Sequence, residues 1–259
     1  MTEALTDKCR VCGGESSYAF SQPVLGRQVS YFDCGACGYV QTQMPDWLDE
    51  AYSRAINDVD TGIMMRNGLN VGRVVMTLIA LGRLQGRVID HAGGYGILVR
   101  MLRDAGIEAR WRDKYCENLL ARGFESTDNR HDLLTAFEVF EHMVDPLQEL
   151  TAMLDDSPSV LMSTELITSD RTPPTDWWYF GPEHGQHIGF FRPATLHWMA
   201  RKLGCHHASD GVSLHLFSHA PIPWHWLPLV KLWRFAPIAA RISLRSKTNS
   251  DFDLLRKSR

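Results

Sequence analysis

Cys9-x-x-Cys12 and Cys34-x-x-Cys37, each followed by a glycine (Gly13, Gly38), are the residues of this 259-residue chain whose type and spacing point most sharply to chemistry. Two thiolates on one tight turn hold two corners of a Zn²⁺ tetrahedron, and a second turn supplies the other two. The glycine lets the backbone fold back so that amides face the sulfurs. Disulfides would need an oxidising compartment, and the N-terminus carries no apolar signal segment. A redox C-x-x-C sits beside a strand-helix junction and needs no second copy. The doubled spacing therefore predicts a zinc site with Cys9, Cys12, Cys34 and Cys37 as ligands. Four sulfurs leave no open position for water, so the ion is expected to be structural and the chemistry to lie elsewhere. Cys116 and Cys205 read as buried thiols rather than nucleophiles.

The second chemical feature is Asp90-His91-Ala92-Gly93-Gly94-Tyr95-Gly96, where small residues stand between an apolar run and a helical pattern. Such a turn lets a ligand approach the backbone, and the helix start offers free amides. A dinucleotide fingerprint would need a third glycine, but Val99 holds that place in the register beginning at Gly94. Asp90 would repel a pyrophosphate and attract the ammonium of a methionine moiety, so electrostatics favour a sulfonium cofactor. Asp113 follows at the end of the next extended run, where a carboxylate accepts both hydroxyl hydrogens of a ribose.

A third feature runs from Trp177 to Phe191, mixing Trp177, Trp178, Tyr179, His184 and His187 with glycines and no regular alternation. A loop of this length in a compact domain is usually functional. It is expected to wall an acceptor pocket with Tyr179 and the tryptophans, and to bring His187 or His184 to the acceptor. His142, in Phe137-Glu138-Val139-Phe140-Glu141-His142, is a further candidate base.

The elements that must position these groups follow from periodicity. Residues 1–45 read as a zinc ribbon with strands around Tyr18–Phe20 and Val29–Phe32. Residues 46–85 read as helical, with Val71, Val74, Val75, Leu78 and Ile79 on one face. Strands are expected at Arg87–Asp90, about Glu108–Arg112, Asp132–Phe137 and Ser159–Thr164. Helices are expected after Gly96, from Asp145-Pro146 with Asp145 as cap, and from Pro193 to a stop at Gly204. Between Ser126 and Arg130 the crossover is abbreviated. Asp210-Gly211 signals a hairpin whose second arm alternates as Val212, Leu214, Leu216. Strands alternating with helices imply α/β architecture, a doubly wound, mostly parallel sheet.

With 44% hydrophobic and 22% charged residues the chain has an ordinary globular composition, and no run is long enough to span a membrane. The formal charge of -3 hides an asymmetry: residues 221–259 sum to +6 and the preceding 220 to −9. An acidic body argues against nucleic acid as a partner. The aromatic and basic segment 221–245 is expected to pack on an apolar surface, with contact to an anionic membrane surface as the competing reading. Residues beyond about Arg245 are expected to be mobile, and the oligomeric state is left open.

The series Asp90-to-Gly96, Asp113, then Phe137-Glu138-Val139-Phe140-Glu141-His142 with Asp145-Pro146 resembles the class I S-adenosylmethionine-dependent methyltransferases over roughly residues 65–220. That resemblance implies a Rossmann-like seven-stranded sheet in a cofactor-binding domain at 46–220, between the ribbon at 1–45 and the extension at 221–259. It implies Asp90, Ala92, Gly93, Gly94, Tyr95 and Gly96 around the methionine end and Asp113 on the ribose. Lys114 and Tyr115 would flank the adenine, and Phe137 and Glu138 would sit beside the methionine portion. Ala92 stands where the family usually has its first glycine, a methyl group being tolerable there if the residue keeps negative φ. A cysteine-rich ribbon ahead of such a domain also resembles methyltransferases of sugar and small-metabolite pathways. The expected function is therefore cytoplasmic methyl transfer to a small-molecule acceptor, with S-adenosylmethionine and a structural Zn²⁺. An RNA methyltransferase that uses the ribbon and basic tail as grips, or a non-catalytic cofactor-binding protein, are the alternatives.

Overall fold

The computed structural model describes residues 5–52, 61–128, 130–169 and 172–257. Its strands are β1 (Thr6–Lys8), β2 (Glu15–Val24), β3 (Arg27–Asp33), β4 (Val40–Thr42), β5 (Arg87–His91), β6 (Glu108–Arg112), β7 (Leu133–Phe137), β8 (Ser159–Ser163), β9 (Gly189–Phe190), β10 (His206–Ser209) and β11 (Leu214–Ser218). Its helices are α1 (Leu48–Ala51), α2 (Ile63–Ala80), α3 (Ile97–Asp104), α4 (Pro146–Asp156), α5 (Pro193–Leu203), α6 (Trp226–Lys231), α7 (Ala236–Ser243) and α8 (Thr248–Lys257). Of the helix expected over 46–85, α1 and α2 are present, while 53–60 lies outside the described residues. The chain divides into two compact units, one of Met1–Ala55, Phe137–Met153 and Met162–His219, the other of Ile56–Ala136, Leu154–Leu161 and Ala220–Arg259.

In the first unit, β1, β2, β3, β4 and β9 form one sheet in that order, antiparallel throughout. β9 enters from the aromatic loop, pairing Val40 with Phe190 and Gln41 with Gly189. A side chain at Gly189 would fall on the Tyr39 hydroxyl, 1.8 Å from a Cβ placed there, so only glycine fits. Inside this sheet Val29, Tyr31, Val40, Trp47, Phe180 and Phe190 build one apolar cluster. Arg192 clamps the second cysteine turn: its guanidinium donates to both Asp33 carboxylate oxygens at 2.9 and 2.7 Å and to the Gly38 carbonyl at 2.7 Å. The Asp210-Gly211 hairpin forms as expected, with Asp210 Oδ1 accepting the amides of Val212, Ser213 and Leu214. Val212 is exposed in the turn rather than part of the strand, and β11 is buried on both faces.

In the second unit β5 lies between β6 and β7, parallel to both. α2 buries Val74, Val75 and Leu78, and α3 buries Leu98, Val99 and Leu102. The segment after 220 packs on α2. Trp226 is buried and its indole donates to Thr77 Oγ1 at 3.1 Å, and Gly72 admits the Trp233 backbone where a Cβ would meet its oxygen at 2.7 Å. Phe235, Ile238 and Ile242 remain exposed beside Arg234 and Arg241. The residues beyond Arg245 are not a loose tail. α8 is pinned by Asp251, whose carboxylate takes Arg103 at 2.8 Å through both oxygens and Arg100 at 2.7 Å. The Arg103 guanidinium also stacks 3.7 Å above the Phe124 ring.

The α/β sheet has the order β10-β11-β8-β7-β5-β6, six strands and mixed in direction, where seven mostly parallel strands were expected. The difference falls at the abbreviated crossover. Between β6 and β7 the described chain turns back through a single parallel bridge, Trp111 to Glu125, instead of forming a further ladder.

Candidate functional site

In the second unit, β5 delivers its chain end into a crook made of left-handed residues. Ala92 has φ +55°, Gly94 +54° and Gly96 +83°, the last capping α3. The condition of a negative φ at Ala92 is not met, because the turn from β5 needs the left-handed region at that position. Asp113 holds the crook shut. Its Oδ2 accepts the Gly94 amide at 2.9 Å, while Oδ1 accepts those of Tyr115 and Cys116 at 2.7 and 2.8 Å. The Trp111 indole donates to the Gly94 carbonyl at 2.9 Å. Gly93 is required by close approach, since a Cβ there would stand 2.9 Å from both Asp90 Oδ2 and Trp111 Cδ1.

Asp90 is buried at the end of β5 and accepts a hydrogen bond from Thr135 Oγ1 at 2.7 Å. Burial raises its pKa to about 7; the Thr135 bond opposes the shift and the neighbouring Asp113 charge adds to it. His91 goes the other way, to about 4, through burial and the nearby Arg112 cation. Tyr95 and Tyr115 are exposed at the rim, with Lys114 Nζ 5.2 Å from the Tyr115 ring centre. The expected cofactor residues Asp90, Ala92, Gly93–Gly96, Asp113, Lys114 and Tyr115 thus form one continuous wall. A buried carboxylate, a glycine-lined crook and an exposed aromatic rim fit a cationic amino-acid end joined to a nucleoside.

The remaining expected residues lie in the first unit. Glu138 is exposed with φ +54°, and its carboxylate and amide both engage the Ser163 hydroxyl, at 2.5 and 3.0 Å. Phe137, just before it, is half-buried. The histidines gather: ring centres are 4.9 Å apart for His142 and His187, 4.8 Å for His184 and His187, and 4.6 Å for Tyr179 and His187. His187 Nδ1 lies 2.5 Å from the Tyr179 carbonyl, which can only accept, so the ring proton sits on Nδ1 and Nε2 carries the free lone pair. Burial lowers the His187 pKa to about 4 and that of His142 well below the ordinary value, with the neighbouring histidines adding to both. His184 is committed to its turn, its Nδ1 accepting the Gln186 amide at 3.1 Å and its ring lying on Gly181.

Tyr179 is buried with its hydroxyl 3.2 Å from Thr164 Oγ1, and burial pushes its pKa well up. Trp177 and Trp178 both pack on Tyr179, with ring centres 5.4 and 5.2 Å away, and Trp178 is 72% exposed. Glu141 was not among the expected site residues. It is fully buried beside His142, and burial together with the Glu138 charge raises its pKa well above the usual carboxylate range. An acid between Phe140 and the candidate base His142 in Phe-Glu-Val-Phe-Glu-His was the available signal.

The four cysteines converge. Cys9 and Cys37 sulfurs are 3.6 Å apart, those of Cys12 and Cys34 are 3.5 Å apart, and all four lie within 4.8 Å of one another. A tetrahedron with about 2.3 Å metal–sulfur bonds has edges of about 3.8 Å, so the set fits zinc. Cys12 and Gly14 amides point at the Cys9 and Cys12 sulfurs, and Gly13 and Gly38 close the two turns in the left-handed region, their amides donating to the Cys9 and Cys34 carbonyls. The Cys9 thiol falls to about 5 through its bond from Cys37, while Cys12 rises to about 11 by burial.

The model of a methyltransferase-domain family matches residues 66–209, more than half of the chain. No curated protein matches the chain at a significant level. Among solved structures, the 1,6-didemethyltoxoflavin N1-methyltransferase of Burkholderia thailandensis is 14% identical, with TM-score 0.47, covering 77% of this chain and 97% of that one. Magnesium protoporphyrin IX methyltransferase of Synechocystis, bound to S-adenosylhomocysteine, is 17% identical with TM-score 0.44, covering 67% and 95%. The methyltransferase domain of bacterial CtHen1 is 20% identical with TM-score 0.40, covering 59% and 98%. With these scores below 0.5, the assignment stands on the family model and on the crook that the same residues build. The chain belongs to the methyltransferase-domain family and is an S-adenosylmethionine-dependent methyltransferase.

Proposed function

We propose that the chain methylates a small-molecule acceptor, a sugar, cell-envelope precursor or secondary metabolite, and that Cys9, Cys12, Cys34 and Cys37 hold a structural Zn²⁺. The observation that carries the methyl-transfer reading is the crook of Asp90, Ala92 and the three glycines closed by Asp113. Bound there, S-adenosylmethionine supplies a methyl group on a sulfonium that leaves as a neutral thioether. Asp90 holds the ammonium, which restores the charge that burial disfavours. Asp113 accepts the ribose hydroxyls on the lone pairs not used by Gly94, Tyr115 and Cys116. Lys114 and Tyr115 flank the adenine, and Phe137 and Glu138 serve the methionine portion.

Much of the acceleration in such a displacement comes from alignment and desolvation. An acceptor that must lose a proton needs more, and His187 presents an unprotonated Nε2 for it. That lone pair serves a proton directly or a metal ion that acidifies the acceptor, with His142 and Tyr179 shaping its surroundings and His184 fixing the loop.

The test pairs calorimetry of S-adenosylhomocysteine binding with transfer of labelled methyl groups to small-molecule and RNA pools. Asp113→Ala should weaken cofactor binding, and His187→Ala should cut turnover 10²-fold or more with that affinity intact. Label appearing only in RNA would replace the small-molecule acceptor, and unchanged turnover would remove His187 from the machinery.

A further inference from the structure

Glu141, His142 and His187 each place one donor atom so that all three lie within 4.8 Å of one another. They are held there by backbone. A 3₁₀ turn, Phe140–His142, carries the first two, and the Ile188 amide donates to the Glu141 carbonyl at 2.8 Å, which brings His187 alongside. Two polar groups in this nest are unsatisfied among the described residues. Both Glu141 carboxylate oxygens are buried without a hydrogen bond, and so is His142 Nδ1. The Tyr179 and Thr164 hydroxyls ease the ionisation of Glu141 from nearby, yet neither reaches hydrogen-bond geometry with it. His142 Nε2 stands 3.8 Å from Glu141 Oε1, too far for a bond.

A buried carboxylate with no hydrogen bond on either oxygen costs several kcal/mol. A cation removes that cost. The His187 tautomer is also the one a metal ligand adopts, with Nδ1–H bound to a carbonyl and Nε2 free. Two imidazoles and one carboxylate suit zinc, iron(II), manganese or cobalt rather than magnesium. Bond lengths of about 2.0–2.2 Å need donor edges near 3.3 Å, shorter than the 3.8 Å between His142 Nε2 and Glu141 Oε1, so the donors draw together when an ion binds.

We propose that Glu141, His142 and His187 form a second metal site, distinct from the four cysteines, which binds one divalent transition ion with at least one open coordination position. Resting on the methyltransferase reading, this assigns the acceptor to the hydroxyl class. The acceptor oxygen coordinates the ion and loses its proton to solvent. Its lone pair then forms the O–CH₃ bond, while the S–CH₃ electron pair stays on sulfur as the neutral thioether.

The test titrates the full chain with Co²⁺, whose electronic spectrum separates thiolate from nitrogen–oxygen sites. Two equivalents are expected, only one of them with thiolate-to-cobalt charge transfer. Glu141→Gln and His187→Gln should each weaken the other equivalent 10-fold or more, leaving the charge-transfer band and S-adenosylhomocysteine affinity unchanged. The unchanged band doubles as the folding control. A single thiolate-bound equivalent, or a second one indifferent to both substitutions, overturns the proposal. If the second equivalent behaves as expected while S-adenosylhomocysteine fails to bind the wild type, the metal site stands and the methyltransferase reading falls.

Discussion

Asp90→Asn should make the ligand-free protein more stable at alkaline pH while impairing cofactor binding. Asp90 is buried, and its pKa rises from 3.8 to about 7 chiefly through burial. A carboxyl raised in the folded state binds more protons there than in the unfolded chain. Stability is therefore intact below about pH 4, falls as pH climbs to 7, and carries the full loss above 7. At 1.36 kcal/mol per pK unit that loss is about 4 kcal/mol, with about 3 kcal/mol of it accruing between pH 5 and 8. Asparagine keeps an acceptor for Thr135 Oγ1 and cannot ionise. Thermal melts should place the variant above wild type by about 2–4 °C at pH 5 and by about 8–16 °C at pH 8. S-adenosylhomocysteine, which brings an ammonium, should raise the wild-type midpoint at pH 8 and raise the variant far less. An advantage that does not grow with pH, or equal ligand-induced shifts, would refute the pairing of Asp90 with the ammonium.

Other consequences concern the crook and the tail. Ala92→Gly releases a left-handed alanine at φ +55° and should stabilise the chain by about 1 kcal/mol in denaturant unfolding; a loss would show that Ala92 is not strained. Gly93→Ala drives a methyl into Asp90 and Trp111, both 2.9 Å away, and should lower S-adenosylhomocysteine affinity at least 10-fold by calorimetry, whereas wild-type affinity would contradict the packing. Asp251→Asn leaves the Arg103 guanidinium buried with Glu108 as its remaining charge partner, and urea melts should show about 3 kcal/mol lost. A change below 1 kcal/mol would mean that α8 is not anchored there.

What the sequence revealed was local. Cys-x-x-Cys-Gly and Asp-x-x-Gly-Gly-x-Gly are set by one turn each, and their residues converge as expected. Asp145 caps α4 through the Gln148 amide, and Gly204 ends α5 in the left-handed region, both readable within four residues. What escaped depends on distant partners. β9 is two residues long, too short for periodicity, and exists only because β4 offers it an edge. The order of α8 comes from Asp251 meeting two arginines about 150 positions earlier. Glu141 reads as an ordinary acid, and only the folded chain shows it fully buried beside two histidines with no hydrogen bond on either carboxylate oxygen among the described residues. The left-handed Ala92 is hidden because alanine rarely adopts that conformation, and only the course of the chain out of β5 demands it.

The measurement that bears most directly on the central claim is calorimetric titration of the full chain with S-adenosylhomocysteine at pH 8, repeated with NAD. One equivalent of S-adenosylhomocysteine, weakened 10-fold or more by Asp90→Asn and by Asp113→Ala, with no heat from NAD, is the expected result. No binding of S-adenosylhomocysteine, or binding of NAD to the same residues, would contradict it.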